Sequence, residues 1–141
     1  MNNKDLANDY LNESKLRLDT AESVINKKAY AFTVRQSQEA VELSLKAALR
    51  LLGIDFPKWH DISEVLIKEK EKFPTEFQDI IPKLATISSS LAKKREPAMY
   101  GDIENKEPPS KIFNKKDAEN ALKDAKFCLK FVEELFKQIN D

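Results

Sequence analysis

Residues 29–52 read AYAFTVRQSQEAVELSLKAALRLL, and this stretch decides the architecture. Between Ala40 and Leu52 it carries Ala40, Val41, Leu43, Leu45, Ala47, Ala48, Leu49, Leu51 and Leu52. A helix on the surface of a bundle shows one apolar stripe. This one is apolar over most of its circumference, so neighbours must pack on several of its sides. Arg35, Glu39, Glu42, Lys46 and Arg50 interrupt it at spacings of four, three, four and four residues. At about 3.6 residues per turn they share one narrow ridge of alternating sign. Two readings of that ridge stand. It is either a row of solvated i,i+4 pairs worth about 0.3–0.5 kcal/mol each, or a polar line facing a cleft, with Glu39, Glu42 and Lys46 among the lining residues.

Toward the N-terminus, Ala7, Leu11, Ser14, Leu18, Ala21 and Ile25 alternate steps of four and three, which predicts a helix over about 5–25 with one inward seam. Leu6, Tyr10 and Val24 widen it. Asn26-Lys27-Lys28 is a polar break short enough to return the next helix antiparallel. Gly53 follows the last apolar turn of the central stretch, the usual place for a left-handed cap. The loop Ile54-Asp55-Phe56-Pro57-Lys58-Trp59-His60 is too apolar to be merely solvated, so Phe56 and Trp59 are expected to fold back onto the bundle end.

Asp61-Ile62-Ser63-Glu64 reads as a capping box opening a third helix over about 62–72. Thr75-Glu76-Phe77-Gln78 repeats the pattern and opens a fourth, on which Phe77, Ile80, Ile81, Leu84, Ile87, Ser88 and Leu91 keep helical spacing. Pro82 should bend this helix, and Pro97 should end it near Arg95. Residues 98–114, with Gly101, Pro108 and Pro109, read as one long irregular segment. A fifth helix begins near Lys115 with Ala118, Ala121, Leu122, Ala125, Cys128, Leu129, Val132, Leu135, Phe136 and Ile139 as its apolar stripe. The expectation is all-α. It is an up-and-down bundle of about five helices, a four-helix core plus a short helix with the fourth kinked, forming a single domain over 1–141.

The totals fit that architecture. A chain of 141 residues can bury about two-thirds of its unfolded surface without a metal or disulfide. Lys plus Arg and Asp plus Glu both number 24, so no global field announces a nucleic acid. One Cys and one His cannot by themselves build a zinc site. No apolar run reaches the ~18–20 residues that span a bilayer, and the first residues lack an apolar signal segment. A soluble, cytoplasmic protein without metal or other cofactor is expected. Cys128 lies on the apolar stripe and reads as core packing.

Chemistry concentrates in Lys93-Lys94-Arg95-Glu96-Pro97-Ala98-Met99-Tyr100-Gly101-Asp102. Three cations at a helix end are explained by the helix dipole alone. The functional reading adds that Arg95 can grip a phosphate bidentately, with Lys94, Tyr100 and Asp102 beside it as further binding groups. His60 is the only histidine and so the one ordinary base near neutral pH. Its place after Trp59 and before a helix cap also suits a loop-packing role.

Taken in order, Gln38-Glu39-Ala40-Val41-Glu42-Leu43-Ser44-Leu45-Lys46-Ala47, Gly53, Pro57, His60-Asp61, the Arg95–Asp102 stretch, Pro109 and Asp117-Ala118-Glu119 resemble the HEPN domain over nearly the whole chain. The resemblance implies a helical bundle that usually dimerises, with its cleft between protomers. It implies a nucleotide or RNA ligand and a protein partner, a small nucleotidyltransferase of the MNT type, in a toxin–antitoxin or related pair.

Active family members are metal-independent RNases with an Arg at the end of the fourth helix, followed after four to six residues by a His. Arg95 matches the Arg; Tyr100 stands where the His belongs. A phenol titrates near pH ~10 and an imidazole near ~6.5, so this exchange removes the usual proton carrier. The expectation is a binding protein without strong catalysis. The alternatives are an RNase that uses Arg95 with Tyr100 or His60, and a purely structural dimerisation module.

Overall fold

In the computed structural model, residues 3–57 and 61–140 are described. The long helices are α1 (Asn3–Ile25), α2 (Tyr30–Leu51), α4 (Thr75–Ala92) and α7 (Lys115–Asn140). Shorter helices are α3 (Ser63–Lys68), α5 (Arg95–Tyr100) and α6 (Pro109–Ile112), with a 3-10 turn at Lys70–Lys72. No strand occurs among the described residues; the nearest thing is an isolated antiparallel bridge between Asp102 and Glu107.

α2 is the centre. It packs against α1, α4, α5, α6 and α7, as a helix without a single wet face must. Leu45, Ala47, Ala48 and Leu49 on it are fully buried, and truncating a leucine of this kind to alanine costs about 2–5 kcal/mol. The α1 seam is buried where the spacing put it, at Ala7, Leu11, Ser14, Leu18 and Ala21. Its small residues let the two axes approach closely enough for Ser14 Oγ to donate to the Ala40 carbonyl at 2.7 Å. On α7 the stripe from Ala118 to Phe136 is buried, including Cys128, except for half-buried Leu122, whereas Ile139 is exposed.

The ends of α2 show the local chemistry. Gly53 has φ +71°, its amide reaches the Arg50 carbonyl at 3.0 Å and the Ile54 amide reaches Leu49 at 2.9 Å. This is a full left-handed C-terminal cap. Phe56 folds back as expected, packing on the core with the Arg50 guanidinium 4.5 Å from its ring centroid. Trp59 and His60 lie outside the described residues.

α4 runs on through Pro82 as one helix, and the chain bends at Lys93–Lys94 before α5. Three local expectations are corrected. The fourth helix ends at Ala92, near the expected Arg95, but Pro97 is not what stops it, because it sits in the first turn of α5, where the missing N–H would have had no partner anyway. Residues 98–114 are accordingly not one irregular segment: they hold the end of α5, a tight turn closed by the Asp102–Glu107 bridge, and α6, which Pro109 opens. The third helix is shorter than 62–72, breaking at Glu69 into the 3-10 turn.

Neither capping box forms as read. Asp61 Oδ1 accepts from the Ser63 amide at 2.9 Å, and Gln78 Nε2 donates to the Phe73 carbonyl at 2.7 Å. A true reciprocal box does open α7, where Asn114 and Asp117 exchange two backbone-to-side-chain bonds of 2.9 Å.

Candidate functional site

The break at Lys93–Lys94 turns α5 across the face of α2, and the space left between α2, α4 and α5 is a cleft of about 540 Å³. Gln38 and Glu42, one helical turn apart, form its α2 wall. Ser89, Ala92 and Lys93 line it from the end of α4, and Arg95, Glu96, Met99 and Tyr100 from α5. Asp61, just ahead of α3, closes the remaining side. A blind recess of about 10 Å³ continues below, bounded by Gln38, Asp61 and Ser88 among others.

Arg95 and Tyr100 are both exposed and both line this cleft. Arg95 enters no ion pair among the described residues, so its guanidinium is open to an external anion. Tyr100 also borders a second hollow of about 440 Å³ on the other side of α5, where Asp102 and the exposed Ile103 lie.

The other sequence candidates are placed differently. Asp102 does not line the main cleft. Its carboxylate accepts from the Asn105 side chain at 2.7 Å and from the Asn105 amide at 3.2 Å, and these bonds hold it below the usual carboxylate range. Lys94 is absent from the lining; with Lys83 and Lys123 it faces Asp124 on α7, whose carboxyl is nevertheless pushed up by burial. Glu39 pairs with Arg17 at 3.5 Å and Arg35 at 3.7 Å, away from the cleft. Lys46, only 7% exposed, pairs with Glu42 at 3.4 Å. The α2 ridge therefore divides: Glu42 faces the cleft, while Arg35 and Glu39 form a half-buried i,i+4 pair.

Gln38 and Asp61 are the site residues that residue-type reasoning passed over. Gln38 is 4% exposed; its Nε2 donates to Glu42 Oε1 at 3.3 Å, and its Oε1 is buried with no donor. Burial pushes the Asp61 carboxyl up. The Ser63 amide and the Ser63, Ser88 and Ser89 hydroxyls outweigh that effect and leave it below the usual range, hence ionised. A glutamine one turn before Glu42 on the central helix was the available signal for the first. Asp61 gave none, since its partner Ser88 is 27 residues away.

Among the described residues, no group of three or more His, Cys, Asp or Glu is placed to hold a metal ion. None of the described helices is long and apolar enough to cross a membrane.

The fold is an all-α bundle wrapped on α2. The chain belongs to the HEPN domain family, whose model matches residues 7–135. It is 28% identical over 136 residues to the Methanocaldococcus jannaschii protein named "Putative toxin MJ1304", covering 92% of this chain and 87% of that one. Its fold is similar to the crystal structure of TT1696 from Thermus thermophilus, with a TM-score of 0.71, 27% identity and coverage of 91% of this chain and 96% of the other.

Proposed function

We propose that this chain binds a nucleotide or RNA in the α2–α4–α5 cleft, with Arg95 on phosphate and Tyr100 stacking on or hydrogen-bonding to the ligand. The observation that carries the proposal is Arg95, exposed, without an ion-pair partner among the described residues, and set on the same cleft wall as Tyr100. A guanidinium so placed is suited to a bidentate phosphate contact.

The protein acts as a homodimer in the cytoplasm, paired with a small nucleotidyltransferase of the MNT type in a toxin–antitoxin-like system. Similarity to a protein named as a putative toxin supports that setting. The exposed side chains of Met99 and Tyr100 at the cleft rim, with exposed Ile103 in the neighbouring hollow, support a second copy covering this edge.

Strong RNA cleavage is not expected. The residue in the position of the proton carrier is a phenol, and Glu42 and Asp61 add negative charge to the cleft. The competing reading is a metal-independent RNase in which Arg95 stabilises charge on phosphorus and Tyr100 or His60 moves the proton. Single-stranded RNA incubated in chelator with wild type, Arg95→Ala and Tyr100→His separates the two. The binding reading expects silence from wild type and cleavage from Tyr100→His. Cleavage by wild type that Arg95→Ala abolishes would establish the RNase instead.

A further inference from the structure

The back of the cleft is built from hydrogen-bond acceptors. Glu42 and Asp61 line it with carboxylates, Glu42 already holding Gln38 Nε2 and Lys46 Nζ and Asp61 Oδ1 the Ser63 amide and the Ser88 hydroxyl, and Gln38 adds a carbonyl that is buried and has no donor. The orientation of the Gln38 amide is fixed by its neighbour. Exchanging its oxygen and nitrogen would set the carbonyl against Glu42 Oε1, now 3.3 Å from Nε2. An unsatisfied buried carbonyl costs about 1–3 kcal/mol, so a donor arriving from the cleft would relieve it. Toward the mouth the chemistry changes. Met99 and Tyr100 supply an apolar thioether and an aromatic ring, and Lys93 and Arg95 supply the cations. A fitting ligand carries donors at one end, a flat apolar body, and an anion at the other.

From this polarity we infer that the cleft is selective for guanine, with the base edge toward Gln38 and Glu42 and the phosphate toward Arg95; the inference rests on the nucleotide-binding reading above. Guanine places two adjacent donors, N1–H and the N2 amine, on its Watson–Crick edge. A carboxylate has about four lone-pair sites, so Glu42, with one donor already on each oxygen, can still accept both. Adenine and cytosine set a ring-nitrogen acceptor beside their single amine, and uracil flanks its one N–H with two carbonyls. Each of these aims an acceptor at the acceptor wall, the kind of mismatch that discriminates strongly at a buried polar site. A cleft of about 540 Å³ is of the size that holds a nucleotide. The same base arrives either as a free nucleotide or within single-stranded RNA.

Calorimetric titration of the intact protein with GMP, AMP, CMP, UMP and inosine monophosphate tests this, beside a uridine heptamer with and without one central guanosine. Wild type, Gln38→Met and Arg95→Ala are compared. GMP is expected to bind about tenfold more tightly than the other three common nucleotides, one such factor being ~1.4 kcal/mol. Inosine monophosphate, which lacks only the N2 amine, should lose most of that margin on an unaltered protein. Gln38→Met should flatten the preference, and Arg95→Ala should weaken all nucleotides alike.

If the preference appears only with the heptamers, guanine within RNA is the ligand. If it appears with GMP alone, the free nucleotide is. Equal, Arg95-dependent binding of all four bases would overturn guanine selectivity and leave nucleotide binding standing. Guanine selectivity through Gln38 is equally overturned if Gln38→Met lowers stability without changing base preference, since Gln38 then serves only the bundle or a buried water. No binding by any nucleotide or oligomer would overturn both readings.

Discussion

Ser88 Oγ donates to Asp61 Oδ1 at 3.0 Å, joining the α4 helix to the segment that precedes α3 and fixing one side of the cleft. The same oxygen accepts the Ser63 amide at 2.9 Å, so one carboxylate orders both the start of α3 and the recess beneath the cleft. Ser88 is nearly buried. Ser88→Ala should therefore lower unfolding free energy by about 1.5–3 kcal/mol, the range for a hydrogen bond to a charged group, as read by denaturant titration.

The same carboxylate makes acid sensitivity predictable. Hydrogen bonds hold Asp61 below the usual carboxylate range against the opposing effect of burial. A depressed folded pKa contributes stability that is present above the unfolded value of about 4 and disappears as pH falls through the folded value. Asp61→Asn should be less stable than wild type at neutral pH, and its stability should fall less steeply below pH ~4. Parallel acid limbs for the two proteins in thermal melts would contradict this.

Gly53 and Gly101 both have positive φ, +71° and +79°, but their surroundings differ. A Cβ on Gly53 would meet only Asn3 Nδ2 at 3.7 Å, an ordinary contact. A Cβ on Gly101 would overlap the Glu107 carbonyl oxygen in the turn that follows α5. Gly53→Ala should cost about 1–2 kcal/mol from backbone strain alone. Gly101→Ala should cost more, because the Asp102–Glu107 bridge must open, and chemical denaturation of the two variants should rank them in that order.

Cys128 is fully buried on α7, and burial pushes its thiol well above its ordinary range. The thiolate is the reactive form, so the native protein should resist thiol reagents at neutral pH. Labelling should appear only in step with global unfolding. Rapid labelling of folded protein would show that α7 opens locally.

Helical patterning makes the bundle legible in the sequence. The α1 seam, the all-round apolarity of α2 and the cap at Gly53 each follow from neighbours a few residues apart, and each forms as read. Pro97 misled, because a proline ends one helix and opens another with the same geometry; only the turn at Lys93–Lys94 decides between them. That turn governs the site. It sends Arg95 and Tyr100 to the cleft while Lys94 faces Asp124. The Asp61–Ser88 bond and the donorless Gln38 carbonyl depend on contacts between elements distant in sequence, which spacing does not encode.

The most direct measurement is the affinity of wild type and Arg95→Ala for a labelled single-stranded RNA and for a nucleotide at one fixed ionic strength, since phosphate contacts are salt-dependent. Arg95 is exposed, so its removal should leave thermal stability within about 0.5 kcal/mol of wild type. Loss of one charge-assisted phosphate contact should weaken binding about 10–100-fold. Equal affinity of the two proteins, with both folded, would contradict the assignment of this cleft as the nucleotide- or RNA-binding site.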